Sequence, residues 1–211
     1  MTIRVIAFVD GFNLYHAVHD TGQHHLKWVN LRDLCVEFAP SPHFSIQAVY
    51  YFSAYAKWRR TAYQRHKSYV RALSAVGVIP IMGKFKEKDR QCFSCGSTWK
   101  HHQEKETDVN IGLQILDLAY QDAFDRALLV TADSDLAPAI RMLKQRFPKK
   151  QVRVLTPLHR NHSLELAQAA GGVKLAKKIK QIHLERNVLP KTVTNGRQKI
   201  MRPAKYDFPP S

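Results

Sequence analysis

Acidic residues, cysteine, glycine and long apolar runs are all scarce in this 211-residue chain, and each shortage removes a class of explanation. Three cysteines, Cys35, Cys92 and Cys95, are too few and too odd in number for a disulfide framework, which points to a reducing compartment. The nine glycines include no G-x-x-x-x-G-K-S/T and no G-x-G-x-x-G run, so a phosphatase or nucleotide-binding domain lacks its usual phosphate loop. No apolar stretch approaches the roughly 18 residues needed to span a bilayer. The opening MTIRVIAFVDGF has neither a basic leader region nor a small-residue cleavage site. The chain therefore reads as cytoplasmic, with no membrane partner. Against 33 Lys and Arg stand only 17 Asp and Glu, a formal net charge of +16. A polyanion is the natural partner of that excess, because basic side chains displace counterions condensed on phosphate backbones. The simpler reading is a solvated basic surface without consequence.

What the chain does have is 45% apolar residues, enough for a sizeable core. Short β-branched runs at Ile3–Val9, Ile46–Phe52, Val78–Ile81, Ala127–Thr131 and Val152–Leu155 alternate with helix-patterned segments. That alternation predicts an α/β domain with parallel strands joined by helical crossovers. Helices are expected over Leu31–Phe38 with Asn30 as cap, Trp58–Val76, Thr107–Tyr120 with Thr107 as N-cap, and Ser134–Phe147. A further helix over Ser163–Ala170 should end at Gly171-Gly172, with a basic helix from about Val173 to Arg186. Lys84–Gln103, rich in charge, Cys and His, reads as an inserted loop or hairpin. From Asn187 the chain carries Pro190, Pro203, Pro209 and Pro210 with little periodicity. The expected division is a domain over 1–186, with its insert at 84–103, and a basic tail over 187–211.

Four aspartates stand out by position. Asp10 follows the first strand run, and Asp133 and Asp135 follow the run Leu128-Leu129-Val130-Thr131. Sites in open parallel sheets form outside the carboxyl ends of strands, where strand order reverses. Asp108 opens the Thr107–Tyr120 helix and can point into the same crevice. Gathering carboxylates is electrostatically costly, and a divalent cation removes the cost. Oxygen-only ligands suit Mg²⁺ or Mn²⁺. Such a centre can hydrolyse a phosphodiester by in-line displacement. Each aspartate alone has a simpler reading. Asp133 can cap the helix after it, and Asp108 can be a favourable charge in a first helical turn. Asp10 is followed by Gly11-Phe12-Asn13, which permits a sharp turn and a second polar ligand.

Three segments carry a family resemblance: Val9-Asp10-Gly11-Phe12-Asn13-Leu14, Glu104-Lys105-Glu106-Thr107-Asp108-Val109 and Thr131-Ala132-Asp133-Ser134-Asp135. They resemble the three acidic motifs of NYN-domain proteins, within the PIN-like nuclease superfamily, and the likeness runs from about Ile3 to Leu184. It implies a PIN-like, Rossmann-like fold, a twisted parallel sheet flanked by helices, and divalent-metal-dependent ribonuclease activity. By position it implies that Asp10, Asp108, Asp133 and Asp135 bind metal. It also implies that Asn13 supports the first motif and that Thr131 and Ser134 supply small hydroxyls around the last. Asp10, Asn13, Asp108, Asp133, Ser134 and Asp135 form the expected catalytic set.

The insert holds Cys92-Phe93-Ser94-Cys95, half of a zinc knuckle, followed by Trp99, His101 and His102. His102 is the better third ligand, as the resemblance to NYN proteins implies, and the fourth is unassigned. Two free thiols and a redox pair are the competing readings. Lys57, Arg59, Arg60, Arg65 and Lys67 crowd one helix among Tyr55, Trp58, Tyr63 and Tyr69, a mixture suited to phosphate contacts and base stacking. Lys174, Lys177 and Lys178 form a second basic cluster, and Arg160 follows the last strand run. Ten Lys or Arg against two acidic residues lie between Lys174 and Ser211, half of the net charge. RNA, single-stranded or structured, is the expected partner, with a second copy or a regulatory protein as further candidates. The competing functional reading is a catalytically silent RNA-binding module on the same fold.

Overall fold

A computed structural model describes residues 2–209; Met1, Pro210 and Ser211 lie outside the described residues, the last two belonging to the expected tail. The first half runs β1 (Ile3–Asp10), α1 (Gly11–Asp20), α2 (Leu31–Glu37), β2 (Phe44–Ala54), α3 (Arg60–Ala75), β3 (Val78–Gln91) and β4 (Thr98–Lys105). The second runs α4 (Thr107–Tyr120), β5 (Arg126–Val130), α5 (Ala137–Arg146), β6 (Gln151–Thr156), α6 (Leu164–Ala169), β7 (Ala176–Lys178), α7 (Gln181–Arg186), β8 (Thr192–Asn195) and β9 (Gln198–Met201).

Seven strands form one sheet in the order β4-β3-β2-β1-β5-β6-β7. All neighbours are parallel except β3 and β4. The chain winds outward from β1 in both directions, so strand order reverses between β1 and β5. Strand alternation splits the core. Val5, Ala7 and Val9 of β1 pack with α1, α2 and α3, while Ile6 and Phe8 pack with α4, α5 and α6. Burial on both faces explains why β1 reads as a continuous apolar run.

Several expectations need correction. The first is α1, where the sequence reading offers only a sharp turn at Gly11-Phe12-Asn13. Its buried Leu14, Ala17 and Val18 nevertheless recur at helical spacing. Gly11 is required here by space. A Cβ at this position would meet the Tyr51 ring at 2.5 Å and the Phe52 carbonyl oxygen at 2.6 Å. Thr107 is not the cap of α4; Glu106 holds that position at φ 81°, in the left-handed region. The expected basic helix over 173–186 is instead a short 3-10 turn, strand β7 and helix α7. Leu175, Ile179 and Ile182 do recur at helical spacing, but pairing of Ala176–Lys178 with the open edge of β6 overrides that local pattern. The 84–103 segment is the tip of the long β3–β4 hairpin.

The expected tail is folded. Leu189, Val193, Ile200 and Tyr206 are buried in the same core as α1–α3. The Leu189 N–H donates to the Trp28 carbonyl at 2.8 Å, and Trp28 Nε1 donates to the Pro190 carbonyl at 3.0 Å. Strands β8 and β9 are four residues each and send one apolar side chain apiece inward, Val193 opposite Ile200. That is too short an alternation to register as a period. The Asn195-Gly196 step, with Gly196 at φ 57°, is a tight-turn signal that the reading of this segment as a tail passes over.

Candidate functional site

The carboxyl ends of β1 and β5 meet at the strand-order reversal, and a network of short polar contacts ties them together. Asp10 Oδ1 accepts the Asn13 N–H at 3.0 Å, capping α1, and Oδ2 accepts the Thr131 hydroxyl at 2.9 Å. Asn13 Oδ1 accepts the Ala132 N–H at 3.0 Å, stapling the start of α1 to the turn after β5. The Thr131 hydroxyl accepts the Asp133 N–H at 3.1 Å, and Asp133 Oδ1 accepts the Asp135 N–H at 2.9 Å. Asp10 caps α1 and Asp133 caps the 3-10 turn after it, the latter as its simpler reading has it, and both also belong to one acidic cluster.

The cluster faces an open cleft of about 210 Å³ lined by Asp10, Phe12, Asn13, His16, Glu104, Thr107, Asp108, Asp133 and Arg160. Asp108, Asp133 and Asp135 each offer a carboxylate oxygen, all within 4.8 Å of one another. Among the described residues this is the one grouping of three or more Asp, Glu, His or Cys able to hold a metal ion. Asp10 lies beneath it at 4% exposure. Burial pushes its carboxyl up to about 6; the Asn13 and Thr131 hydrogen bonds oppose the rise, and the charges of Asp108 and Asp133 add to it. Asp108 is likewise raised to about 6, first by burial and then by Asp133, Glu104 and Asp135. A set of carboxylates held together against their own repulsion is the condition a divalent cation relieves, so the donor set fits a hard cation. Ser134 sits in the 3-10 turn between Asp133 and Asp135.

Those positions decide the family. A model of the NYN domain matches residues 4–173. The chain belongs to the NYN domain family. Its fold is the nuclease-like fold of that family, and its three-aspartate cluster is compatible with a metal site. Among solved structures, the NYN chain is similar to a protein of unknown function, VPA0982, from Vibrio parahaemolyticus RIMD 2210633. Identity is 20% and the TM-score 0.55, with 85% of this chain and 94% of the other covered, a likeness of fold. No curated protein matches the chain.

Sequence reasoning missed four cleft residues: Phe12, His16, Glu104 and Thr107. Glu104 accepts both the N–H (3.1 Å) and the hydroxyl of Thr107, and so organises the start of α4 beside Asp108. It stood inside the quoted second motif, four residues before Asp108, and that offset was the available signal. His16 lies on α1, the helix the sequence reading lacked.

The basic residues divide. Arg160 reaches the cleft, where Asp20 holds its guanidinium at 2.6 Å. Arg59 and Arg65 line a second, larger groove alongside. Lys57, Arg60 and Lys67 are exposed and line neither. Lys174, Lys177 and Lys178 are exposed and line neither; Lys177 and Lys178 lie on the edge strand β7 beside Leu155 and Thr156 of β6, and Lys174 precedes that strand. The insert does not assemble the expected zinc ligands. Cys92 and Cys95 sit in the hairpin turn, whereas His102 pairs with Glu87, four strand residues past Thr98, roughly 13 Å at about 3.3 Å per residue. His102 instead stacks on Trp58, with ring centroids 3.7 Å apart and planes 13° from parallel. Hydrogen bonds from Ser97 and Cys92 draw the Cys95 thiol down to about 7. Among the described residues no helix is long and apolar enough to cross a membrane.

Proposed function

We propose that this NYN chain is a divalent-metal-dependent ribonuclease, hydrolysing RNA phosphodiester bonds with Mg²⁺ or Mn²⁺ in the cytoplasm. The observation that carries the reading is the convergence of Asp108 from α4 with Asp133 and Asp135 from the β5 turn, their oxygens within 4.8 Å. Those three would hold the ion, with Asp10 beneath them as a fourth carboxylate. A bound cation supplies charge neutralisation at a phosphoryl oxygen and lowers the pKa of an attacking water.

The chain's own residues do the rest. Asp10, Thr131 and Asn13 fix the turn that carries Asp133, so little reorganisation is needed when the phosphate arrives. Arg160 at the rim suits a non-bridging phosphate oxygen, and its pairing with Asp20 orients it in advance. Glu104 keeps the start of α4, and with it Asp108, in register. Ser134, in the turn between Asp133 and Asp135, would offer its hydroxyl to substrate or a metal-site water. Exposed cations on both flanks suit contacts along an RNA strand: Lys57, Arg59 and Arg60 near α3, and Lys174, Lys177 and Lys178 near β7.

The test is cleavage of labelled single-stranded RNA by the purified chain with Mn²⁺ or Mg²⁺ and with EDTA. Asp108→Asn and Asp135→Asn should each lower turnover about 100-fold or more, since a lost ligand removes transition-state stabilisation. Full activity in EDTA, or in either variant, would overturn the reading. RNA binding with no cleavage in any metal would favour the silent RNA-binding module instead.

A further inference from the structure

Beside the acidic cleft, and sharing Phe12, His16 and Glu104 with it, runs a groove of about 540 Å³. That volume lies within the roughly 300–1,000 Å³ typical of small-molecule sites. Its walls come from α1, the Leu26–Val29 segment, β2, α3, the β3–β4 hairpin and Tyr206 of the C-terminal segment. They are largely aromatic. Trp58 stands at its mouth, 41% exposed, backed by the stacked His102 ring and the edge of Phe85. Tyr63 and His66 line it further along α3.

The charged groups in this apolar groove are basic with one exception. Lys27, Arg59 and Arg65 line it, and the only acidic lining residue is Glu104, at the seam with the cleft. Lys27 is 8% exposed, yet among the described residues its ammonium makes neither an ion pair nor a hydrogen bond. Its neighbour is the Tyr15 ring, 4.6 Å from Nζ to centroid. Arg65 Nε is also buried without a partner. Buried cations are ordinarily paired, because desolvating an unpaired charge is costly. Burial, with Lys205 and Arg65 nearby, draws the Lys27 ammonium down to about 8, as expected of a cation awaiting an anion.

We infer that this groove seats one unpaired ribonucleotide of the RNA strand, its base against the Trp58–Tyr63 wall and its phosphate on Lys27 and Arg65, while the neighbouring phosphodiester reaches the acidic cleft. An aromatic wall accepts any base face, and two neighbouring basic groups in the groove accept one phosphate. A base within a duplex cannot enter without leaving its stack, so the groove selects unpaired RNA. The inference rests on the ribonuclease reading for the strand's direction of use, but nucleotide binding itself needs no metal.

Isothermal titration in EDTA tests it with four probes: adenosine 5′-monophosphate, adenosine, a short single-stranded RNA and its blunt duplex. The mononucleotide should bind more tightly than adenosine, and the single strand more tightly than the duplex. Trp58→Ala, at an exposed position that leaves the core intact, should weaken mononucleotide and single strand about tenfold or more. Lys27→Met keeps the buried aliphatic stem and should weaken the mononucleotide while leaving adenosine unchanged. Equal affinity for mononucleotide and adenosine, no effect of Trp58→Ala, or binding of the mononucleotide but not the RNA would each overturn the inference. Metal-dependent cleavage alongside any of these results would leave the ribonuclease reading standing. Binding as expected with no cleavage in any metal would sink that reading and spare the groove.

Discussion

Asp10 does three jobs with one carboxylate: it caps α1, accepts the Thr131 hydroxyl and faces the acidic cluster. Its pKa of about 6, against an ordinary 3.8, has a consequence for stability in the absence of metal. Between about pH 4 and 6 the folded state holds this proton more tightly than the unfolded chain does. Stability from the group is therefore complete below the unfolded value and is lost as pH rises through the folded one, by up to about 3 kcal/mol. In EDTA, thermal melts of wild type against Asp10→Asn should diverge over that window. The variant should be the more stable at pH 7, because it keeps the cap and loses the charge. A pH-independent difference between the two would contradict the assignment. Added Mn²⁺ should raise the wild-type Tm most above pH 6. Gly11 gives a second test. Gly11→Ala drives a Cβ into the Tyr51 ring and the Phe52 carbonyl, and overpacking of that kind costs about 1–3 kcal/mol. Urea denaturation reads the loss directly.

At the scale of elements, the lesson concerns which signals are local. Strands β1, β2, β5 and β6 were legible because burial on both faces writes a continuous apolar run. The α4 start was legible in place but not in chemistry, since its cap is a left-handed Glu106 and its organiser is Glu104 from the preceding strand. Apart from its Asn195-Gly196 turn, the C-terminal hairpin was not legible, because its stabilisation is tertiary. Burying Leu189, Val193, Ile200 and Tyr206 is worth about 1.5–3 kcal/mol each, and none of it appears as periodicity. Deleting 187–211 should therefore unfold or strongly destabilise the chain instead of merely trimming its charge, given a total stability of about 5–15 kcal/mol. A truncated chain with an unchanged Tm would show the hairpin to be an ornament. His102 illustrates the same limit. Its offset from the cysteines suggested a ligand, but strand register carries it to Trp58.

For the whole molecule, exposed basic residues occur in elements on both sides of the strand-order reversal, α3 towards β3 and β7 at the far edge. Composition gives the amount of charge and its clusters; the sheet order adds that Lys177 and Lys178 lie on the edge strand β7, two strands from β5. The four aspartates were all named from strand-end and helix-start positions, yet Asp10 lies buried beneath the three whose oxygens converge, a depth no spacing encodes. Replacing Lys177 and Lys178 together with Ala should weaken single-stranded RNA binding. It should also reduce the log–log salt slope by about 1.4, at roughly 0.7 per phosphate contact. Fluorescence anisotropy over a salt series measures both, and an unaltered slope would remove these two residues from the RNA path.

The distances in sequence spanned by the site have a consequence during synthesis. Asp10 and Thr131 are joined across 121 positions, and Trp28 is held by Pro190 across 162. A chain still emerging from the ribosome, N-terminus first, holds Asp10 long before it holds Asp133 and Asp135. It also lacks, until nearly the end, the hairpin that completes the core behind α1 and the Tyr206 side chain that helps close the groove. Contacts of such long range form late, because loop-closure entropy must be met before they stabilise anything. A nascent NYN chain thus gathers its acidic cluster only once β5 and the turn after it have been made, and closes the core behind α1 later still.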